Sequence, residues 1–286
     1  MPVYRIISDI HLGDDASLVR SPEVLRPLFA GVQSLIFNGD SVETRPGPRA
    51  VVRRAVAEKF MAFCRQEAPA PVFITGNHDP DISAQHHLDL AGGEILVTHG
   101  DVLYPEIVPW GLDSSRLATL FRDDLVRLTA AGQDQLMARL AACKAASAQV
   151  PIAHDYTARN AATRLASLCG KMAHPLRLFR MLRAWWQMAD RAASLAGHFR
   201  PAARFVILGH THLPGIWTRG GLTVINTGSF VPLLGHSLVD IETDAVVVRG
   251  VERKHDGYHP GKVKARFALS RPLNAEALAT AAGLRS

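Results

Sequence analysis

The chain has 286 residues, 48% hydrophobic and 20% charged, a balance that excludes a disordered chain and allows a sizeable core. Its three cysteines, Cys64, Cys143 and Cys169, are too few and too widely spaced for a disulfide framework or a zinc ribbon, so buried thiols in a reducing compartment are expected. The net charge is +6, with 14 Lys+Arg against 6 Asp+Glu between Gly111 and Phe205, so the basicity belongs to one segment and points to an anionic partner there.

Met1-Pro2-Val3-Tyr4 leads straight into a strand with no basic leader, and no apolar run approaches the ~20 residues of a membrane span. The expected location is cytoplasmic, soluble or peripheral to a membrane. Residues 3–8 form the first apolar strand and end in Ser8-Asp9-Ile10-His11. Pro22 suits the first turn of a helix over 22–33, with Ser21 as its cap. Leu35-Ile36-Phe37 is a second strand, ending in Asn38-Gly39-Asp40. Val52, Val56, Phe60 and Phe63 share one face of a helix over 49–66. Strands at 72–75 and 95–97 end in Gly76-Asn77-His78-Asp79 and His99-Gly100-Asp101, with His86-His87 read as surface histidines in the loop between them.

From Gly111 to about Pro201 the strand signals stop. An Ala-, Leu- and Arg-rich stretch predicts helices at 114–129, 132–147, 156–172 and 175–197. Strand periodicity returns at 205–208, which ends in Gly209-His210-Thr211-His212. Short strands follow at 215–218, 222–226, 236–241 and 245–251, expected to form a second, antiparallel sheet. The tail 254–286 is basic and then Ala-rich, with one short helix expected after Asn274. The expected domains are a discontinuous core, 1–110 and 202–253, an inserted helical cap, 111–201, and the tail.

Five polar clusters thus stand at strand ends: Asp9-Ile10-His11, Gly39-Asp40, Gly76-Asn77-His78-Asp79, His99-Gly100-Asp101 and Gly209-His210-Thr211-His212. In layered α/β folds ligand chemistry collects at the carboxyl ends of strands. Carboxylate, imidazole and amide oxygen together suit Mn²⁺, Fe or Zn²⁺. Residues i and i+2 of an extended segment point the same way, so Asp9 with His11, and His210 with His212, can each be presented to one side. Glycines before Asp40, Asn77 and His210 let the backbone turn where a side chain would not fit.

This pattern resembles the calcineurin-like metallophosphoesterases over residues 3–101 and 205–251. The resemblance implies a two-layered β-sandwich flanked by helices, an α/β fold, here with a helical insertion. It also implies two divalent ions, Mn first and Fe or Zn as alternatives. Asp9, His11 and His212 would hold one ion, Asn77, His99 and His210 the other, and Asp40 would bridge both. His78 would stand near the leaving group, oriented by Glu43, three positions after the bridging Asp, where many relatives have Asp. Two ions about 3.5–4 Å apart acidify a shared water and clamp phosphate oxygens, so no nucleophilic Ser or Cys is needed, and Cys64 reads as a core thiol.

The insertion leaves after His99-Gly100-Asp101 and returns before Gly209-His210, a placement similar to that in UDP-2,3-diacylglucosamine hydrolases. Two features differ from that group: His78 stands where Arg is typical there, and Asn226-Thr227-Gly228-Ser229 resembles a turn of the general phosphoesterases. In the insertion, Leu176, Phe179, Leu182, Trp186 and Ala189 make a helical apolar stripe flanked by Arg177, Arg180, Arg183 and Arg191. It can pack into a cap core, lie on an anionic membrane surface or border a nucleic-acid channel. The expected function is hydrolysis of phosphate esters or diphosphates. The rivals are a membrane-surface nucleotide-lipid diphosphatase, and a metal-free scaffold or nucleic-acid-binding protein on the same fold.

Overall fold

The apolar strands read as near-continuous β-branched runs, which is what burial on both faces demands. The computed structural model describes residues 3–130, 135–152, 174–232 and 234–273. In the first sheet, β1 (Tyr4–Ile7), β2 (Ser34–Asn38) and β3 (Val72–Ile74) run parallel, with Ile6 opposite Ile36 and Ile36 opposite Val72. In the second, β5 (Ile95–Thr98), β6 (Phe205–Leu208) and β8 (Leu222–Asn226) are the parallel strands. Antiparallel β4 (His87–Leu90) and β7 (Gly215–Arg219) flank them, giving the order β4-β5-β6-β8-β7.

β9 (Ser237–Ile241), β10 (Ala245–Lys254) and β11 (Gly257–Ala268) complete the first sheet beyond β1, in the order β11-β10-β9-β1-β2-β3. This corrects the expected partition. The carboxy-terminal strands do not make a second sheet of their own; they divide between the two, and the second sheet starts at β4. The tail also contributes β11, a strand the sequence reading passed over. Its glycines, Pro260 and run of Lys and Arg lower strand propensity, and exposed basic side chains suit a sheet edge.

Side-chain alternation builds the layers. Ile6, Ile36, Ile74, Val97, Ile207, Ile225 and Val239 meet between the sheets. Ile7, Leu35 and Phe37 point the other way, onto Ala57, Phe60 and Cys64 of α1 (Ala50–Glu67). Val52, expected on that buried face, is exposed, because the contact stripe runs through Ala57, Phe60 and Cys64 instead. The expected helix at 22–33 is a 3-10 turn, Pro22–Leu28, shortened by Pro27, which has no amide hydrogen to continue an α-helix. The result is the expected two-layered β-sandwich flanked by helices.

The insertion supplies α2 (Ser114–Ala130), α3 (Gln135–Gln149) and α4 (Pro175–Phe199). The helix expected at 156–172 and the one after Asn274 lie outside the described residues. Leu136, Leu140, Ala184, Met188 and Ala192 share one core with Leu96, Val206, Leu208 and Val224. α3 and α4 therefore cover the outer face of the second sheet, while α2 and α3 close a separate cluster of Leu117, Phe121, Ala142, Cys143 and Ala146. A buried ion pair, Lys144 Nζ to Asp101 Oδ2 at 2.5 Å, ties α3 to the loop that carries His99. No helix among the described residues is long and apolar enough to cross a membrane.

Candidate metal centre

The loops after β1, β2, β3, β5 and β6 meet at one rim of the sandwich. Backbone pairing continues past the strands: Asp9 donates to Gly39 O and His11 to Asp40 O on one sheet, and Gly209 donates to His99 O on the other. The amide of His210 crosses between sheets to the Asp9 carboxylate at 3.0 Å. Asp79 braces the rim from below, its buried carboxylate accepting the amides of Asp40, Ser41, Val42 and Gly76 at 2.7–3.3 Å. Burial and the neighbouring Asp40 charge raise its pKa to about 6.

The glycines work mainly through space. A Cβ on Gly76 would collide with the carboxylate and amide of Asp40, and one on Gly209 with Asp9 and Ser8; only Gly39 also needs its left-handed φ of +80°. Strain sits on the polar residues themselves. Asp9, His11, Asp40, His210 and His212 all adopt φ between 51° and 64°, a conformation that costs of order 1–3 kcal/mol per side-chain-bearing residue. Such strain persists only where the surrounding fold enforces it, and five of the seven residues singled out as metal ligands carry it.

Ligand atoms fall into three overlapping groups, each within 4.8 Å: Asp9, His11 and His212; Asp40, His99 and His210; and His11, Asp40 and His78. Asp40 thus belongs to both sides, its Oδ2 lying 3.2 Å from His99 Nε2 and 3.9 Å from His11 Nε2. His212 Nε2 is 3.2 Å from Asp9 Oδ1 and 3.1 Å from His11 Nε2. His99 Nδ1 donates to Asn38 O at 3.0 Å and His210 Nε2 to Ile107 O at 2.8 Å, so each ring keeps its other nitrogen for the centre.

Divalent ions fit these residues on two counts. The buried Asn77 Oδ1 has no hydrogen-bond partner among the described residues, a cost of about 1–3 kcal/mol unless something else satisfies it. Burial, with repulsion from His78 for His11 and from His99 for His210, lowers both rings to about 4, leaving neutral imidazoles with lone pairs to give. His99 goes the other way: burial opposes its charge, but Asp40 outweighs burial and lifts the ring to about 10, a proton standing where a cation would bind.

His78 lies beside this cluster, its ring 4.8 Å from that of His11 and its amide donating to Asp40 Oδ1 at 2.8 Å. Its Nδ1 donates to Glu43 Oε2 at 2.7 Å, so the structure brings together the two residues the resemblance pairs. The extra length of Glu over Asp is taken up by Arg45, which grips the same carboxylate with Nε at 3.0 Å and Nη2 at 2.8 Å. Burial disfavours the Glu43 charge, but His78 and Arg45 overcome it and hold the carboxyl at about 2. Sequence reasoning missed Arg45 and the bracing role of Asp79; Arg45 sits five positions after Asp40 and Asp79 closes its own cluster, but nothing in spacing alone marks either.

A cavity of about 350 Å³ opens over His11, His78 and His212. Its walls are mostly apolar, with Trp110, Leu178, Met181, Trp185 and Val231, and two arginines, Arg45 and Arg177, face into it. Trp185 is fixed by its Nε1–H donating to Thr211 O at 2.8 Å. His86 and His87 do not line it. His87, expected on the surface, is buried in β4 beside Asp89 and Arg200. Cys64 is fully buried, and burial pushes its thiol far up, away from nucleophilic use.

No protein-family model matches the chain, and no curated protein sequence matches it. Solved structures align over nearly its whole length. A predicted phosphoesterase from Streptococcus pneumoniae is 16% identical, with 94% of this chain and 98% of that one covered and a TM-score of 0.36. A dimetal phosphatase from Danio rerio is 13% identical, with 94% and 99% covered and a TM-score of 0.44. Vps29 from Entamoeba histolytica, crystallised with Zn²⁺, is 13% identical, with 93% and 98% covered and a TM-score of 0.38. At these scores the likeness supplies no residue with a role; the roles rest on the geometry above.

Proposed function

We propose that this chain is a binuclear metal-dependent hydrolase of phosphate esters or diphosphates. The observation that carries the reading is Asp40, a buried and conformationally strained carboxylate shared by two groups of metal-ligand atoms, with a hydrogen-bonded histidine beside it on the floor of a cavity. Asp9, His11 and His212 would hold one ion, and Asn77, His99 and His210 the other, with Asp40 common to both. When bound, the ions supply Lewis-acid polarisation of the phosphoryl group and an acidified water. Mn²⁺ is the expected metal, with Fe or Zn²⁺ as alternatives.

The chain's own residues do the rest. Glu43 takes the Nδ1 proton of His78 in a hydrogen bond, fixing the ring so that Nε2 is the atom free to protonate a departing oxygen. Burial weakens the charged form of His78, and so does Arg45, but the carboxylates of Asp40 and Glu43 outweigh both and raise its pKa. These two carboxylates favour the protonated ring, the form a general acid needs. A Mn²⁺-supplemented screen of bis(p-nitrophenyl) phosphate, p-nitrophenyl phosphate, nucleotides and a UDP-sugar lipid tests the reading. Hydrolysis should vanish on chelation and return with added metal. Turnover that survives chelation would overturn the metal dependence, and a chain that neither takes up metal by elemental analysis nor turns over any of these substrates would leave a metal-free binding scaffold in its place.

One observation favours the rival reading of a nucleotide-lipid diphosphatase at a membrane surface. Most of the apolar stripe of α4 does not enter a core: Leu176, Phe179 and Trp186 are 61%, 62% and 76% exposed, and only its last member, Ala189, joins Ala184, Met188 and Ala192 against the second sheet. Arg177, Arg180 and Arg183 flank the stripe, a charge pattern complementary to anionic headgroups. On the other side of the helix, Leu178, Met181 and Trp185 line the apolar cavity. The protein should co-sediment with vesicles containing phosphatidylglycerol and not with phosphatidylcholine alone, and Phe179→Ser with Trp186→Ser should release it. Binding to DNA instead, falling steeply with salt, would favour the nucleic-acid reading.

A further inference from the structure

Arg45 is the charged group of the cavity that the hydrolase reading leaves without a task. Its guanidinium is nearly buried, 14% exposed, and Glu43 holds it by two parallel hydrogen bonds, from Nε at 3.0 Å and Nη2 at 2.8 Å. The Arg45 amide donates to the same carboxylate at 3.0 Å. Such a fork fixes the plane of an arginine as few contacts do. Nη2 stands 3.1 Å from His78 Nδ1, so the guanidinium lies beside the ring. Nη1 makes no hydrogen bond among the described residues, and Arg45 lines the cavity.

One carboxylate therefore positions two groups side by side: the imidazole that faces a departing oxygen, and a fixed cation with one arm unused. A partly desolvated guanidinium arm gains most from an anionic oxygen acceptor. An alcohol that leaves protonated by His78 offers none, and a nitrophenolate offers a single oxygen with its charge spread into the ring. A departing phosphate does. Asp14 and Asp113 also line the cavity, so its field is mixed, but neither is hydrogen-bonded to Arg45.

The geometry points to Arg45 as a specificity residue that holds the leaving phosphate, making phosphoric anhydrides, R–O–P–O–P–O–R′, the preferred substrate class of the site. The inference rests on the placement of His78 at the leaving group given above. Water oxygen bonds to one phosphorus and the bridging P–O bond to it breaks. The bridging oxygen leaves with the other phosphate and takes the proton of His78, and the charge on that phosphate's remaining oxygens lies against Arg45 Nη1. The products are two phosphate monoesters, and no electrons are exchanged. Arg177 and the apolar wall with Trp185 and Met181 remain for the organic groups on either side.

The test compares wild type with Arg45→Gln on two ratios, both measured with Mn²⁺-loaded protein. The first is kcat/KM for UDP-glucose over that for bis(p-nitrophenyl) phosphate. The second is the affinity for methylenediphosphonate over that for methylphosphonate, read by calorimetry. Disturbing Glu43 or His78 indirectly would lower the first ratio too, because a nitrophenolate departs without a proton, but would leave the affinity ratio unchanged, so a fall in the kinetic ratio alone overturns the inference. Loss of a direct contact to the second phosphate should lower each ratio by about tenfold or more. Ratios unchanged in Arg45→Gln overturn the inference. If the wild type hydrolyses neither substrate, the affinity ratio alone decides: a fall upholds Arg45 as a diphosphate anchor while the hydrolase reading fails, and no fall removes Arg45 as well.

Discussion

Replacing Asp40 by Asn should remove at least one metal ion per chain and lower phosphoester hydrolysis by about a hundredfold or more. Asn keeps the size of Asp and an oxygen for the His78 amide, which donates to Asp40 Oδ1 at 2.8 Å, so the loop after β3 should hold its place. What disappears is the one negative charge common to both groups of ligand atoms, 3.2 Å from His99 and 3.9 Å from His11. His99 and His210 would then face an ion with Asn77 and no carboxylate of their own. Two neutral rings and an amide make a poor site for a hard or borderline divalent cation. Folding carries a second readout. Metal that binds only the native state stabilises it in proportion to RT ln(1 + [L]/Kd), so Mn²⁺ should raise the wild-type melting temperature and raise that of Asp40→Asn much less. Full two-metal content in the variant, by elemental analysis, would remove Asp40 as the shared ligand.

The same residue shows what the sequence could and could not reveal. A β-branched run followed by a Gly and a polar cluster marks a strand delivering side chains to a rim, and that local signal survives without tertiary information. Asp9, His11, Asp40, His99, His210 and His212 could therefore be picked out singly, and the fold brings their ligand atoms into contact. The partition of strands between sheets is different in kind. Short apolar strands such as β6 and β9 look alike in sequence, and which sheet each joins depends on pairing partners more than a hundred residues away. β4 and β11 were missed because His87, Asp89 and the lysines of β11 mask a strand whose burial or edge position only the neighbours define.

Side-chain partnerships inside the rim were equally hidden. Asp79 reads as one more residue of the Gly76-Asn77-His78-Asp79 cluster, yet its carboxylate accepts the amides of two loops, that of Asp40 among them, and belongs to none of the groups of ligand atoms. Arg45 reads as a loop arginine and becomes the second grip on Glu43. The apolar stripe of α4 carries the inverse lesson. Helical periodicity showed a hydrophobic face at Leu176, Phe179, Leu182, Trp186 and Ala189, but burial took only Ala189 of these and followed the smaller face of Ala184, Met188, Ala192 and Ala196. Small residues let the helix approach the second sheet closely, and that contact outranks the bulkier stripe.

His78→Ala should leave metal content unchanged and slow turnover by about 10²–10⁴-fold, the span of a lost general acid. Metal should stay because the ring is committed elsewhere: Nδ1 is bonded to Glu43, and the ligand atoms of Asp9, His11 and His212, and of Asp40, His99 and His210, form their groups without it. The size of the loss should depend on the leaving group. A nitrophenolate departs readily without a proton, so bis(p-nitrophenyl) phosphate should suffer least. An alkoxide needs the proton, so a methyl or glyceryl ester should suffer most. In a plot of log kcat/KM against leaving-group pKa, the variant's line should be steeper than the wild type's. A parallel line, displaced but not steepened, would mean that His78 positions the phosphate or helps bind an ion. Metal analysis of the same sample separates those two outcomes, because His78 also lies within ligand distance of His11 and Asp40. Glu43→Gln extends the argument one step outward. It keeps a hydrogen-bond acceptor for Nδ1 but removes the charge that favours the protonated ring, so its slope should fall between those of the wild type and His78→Ala.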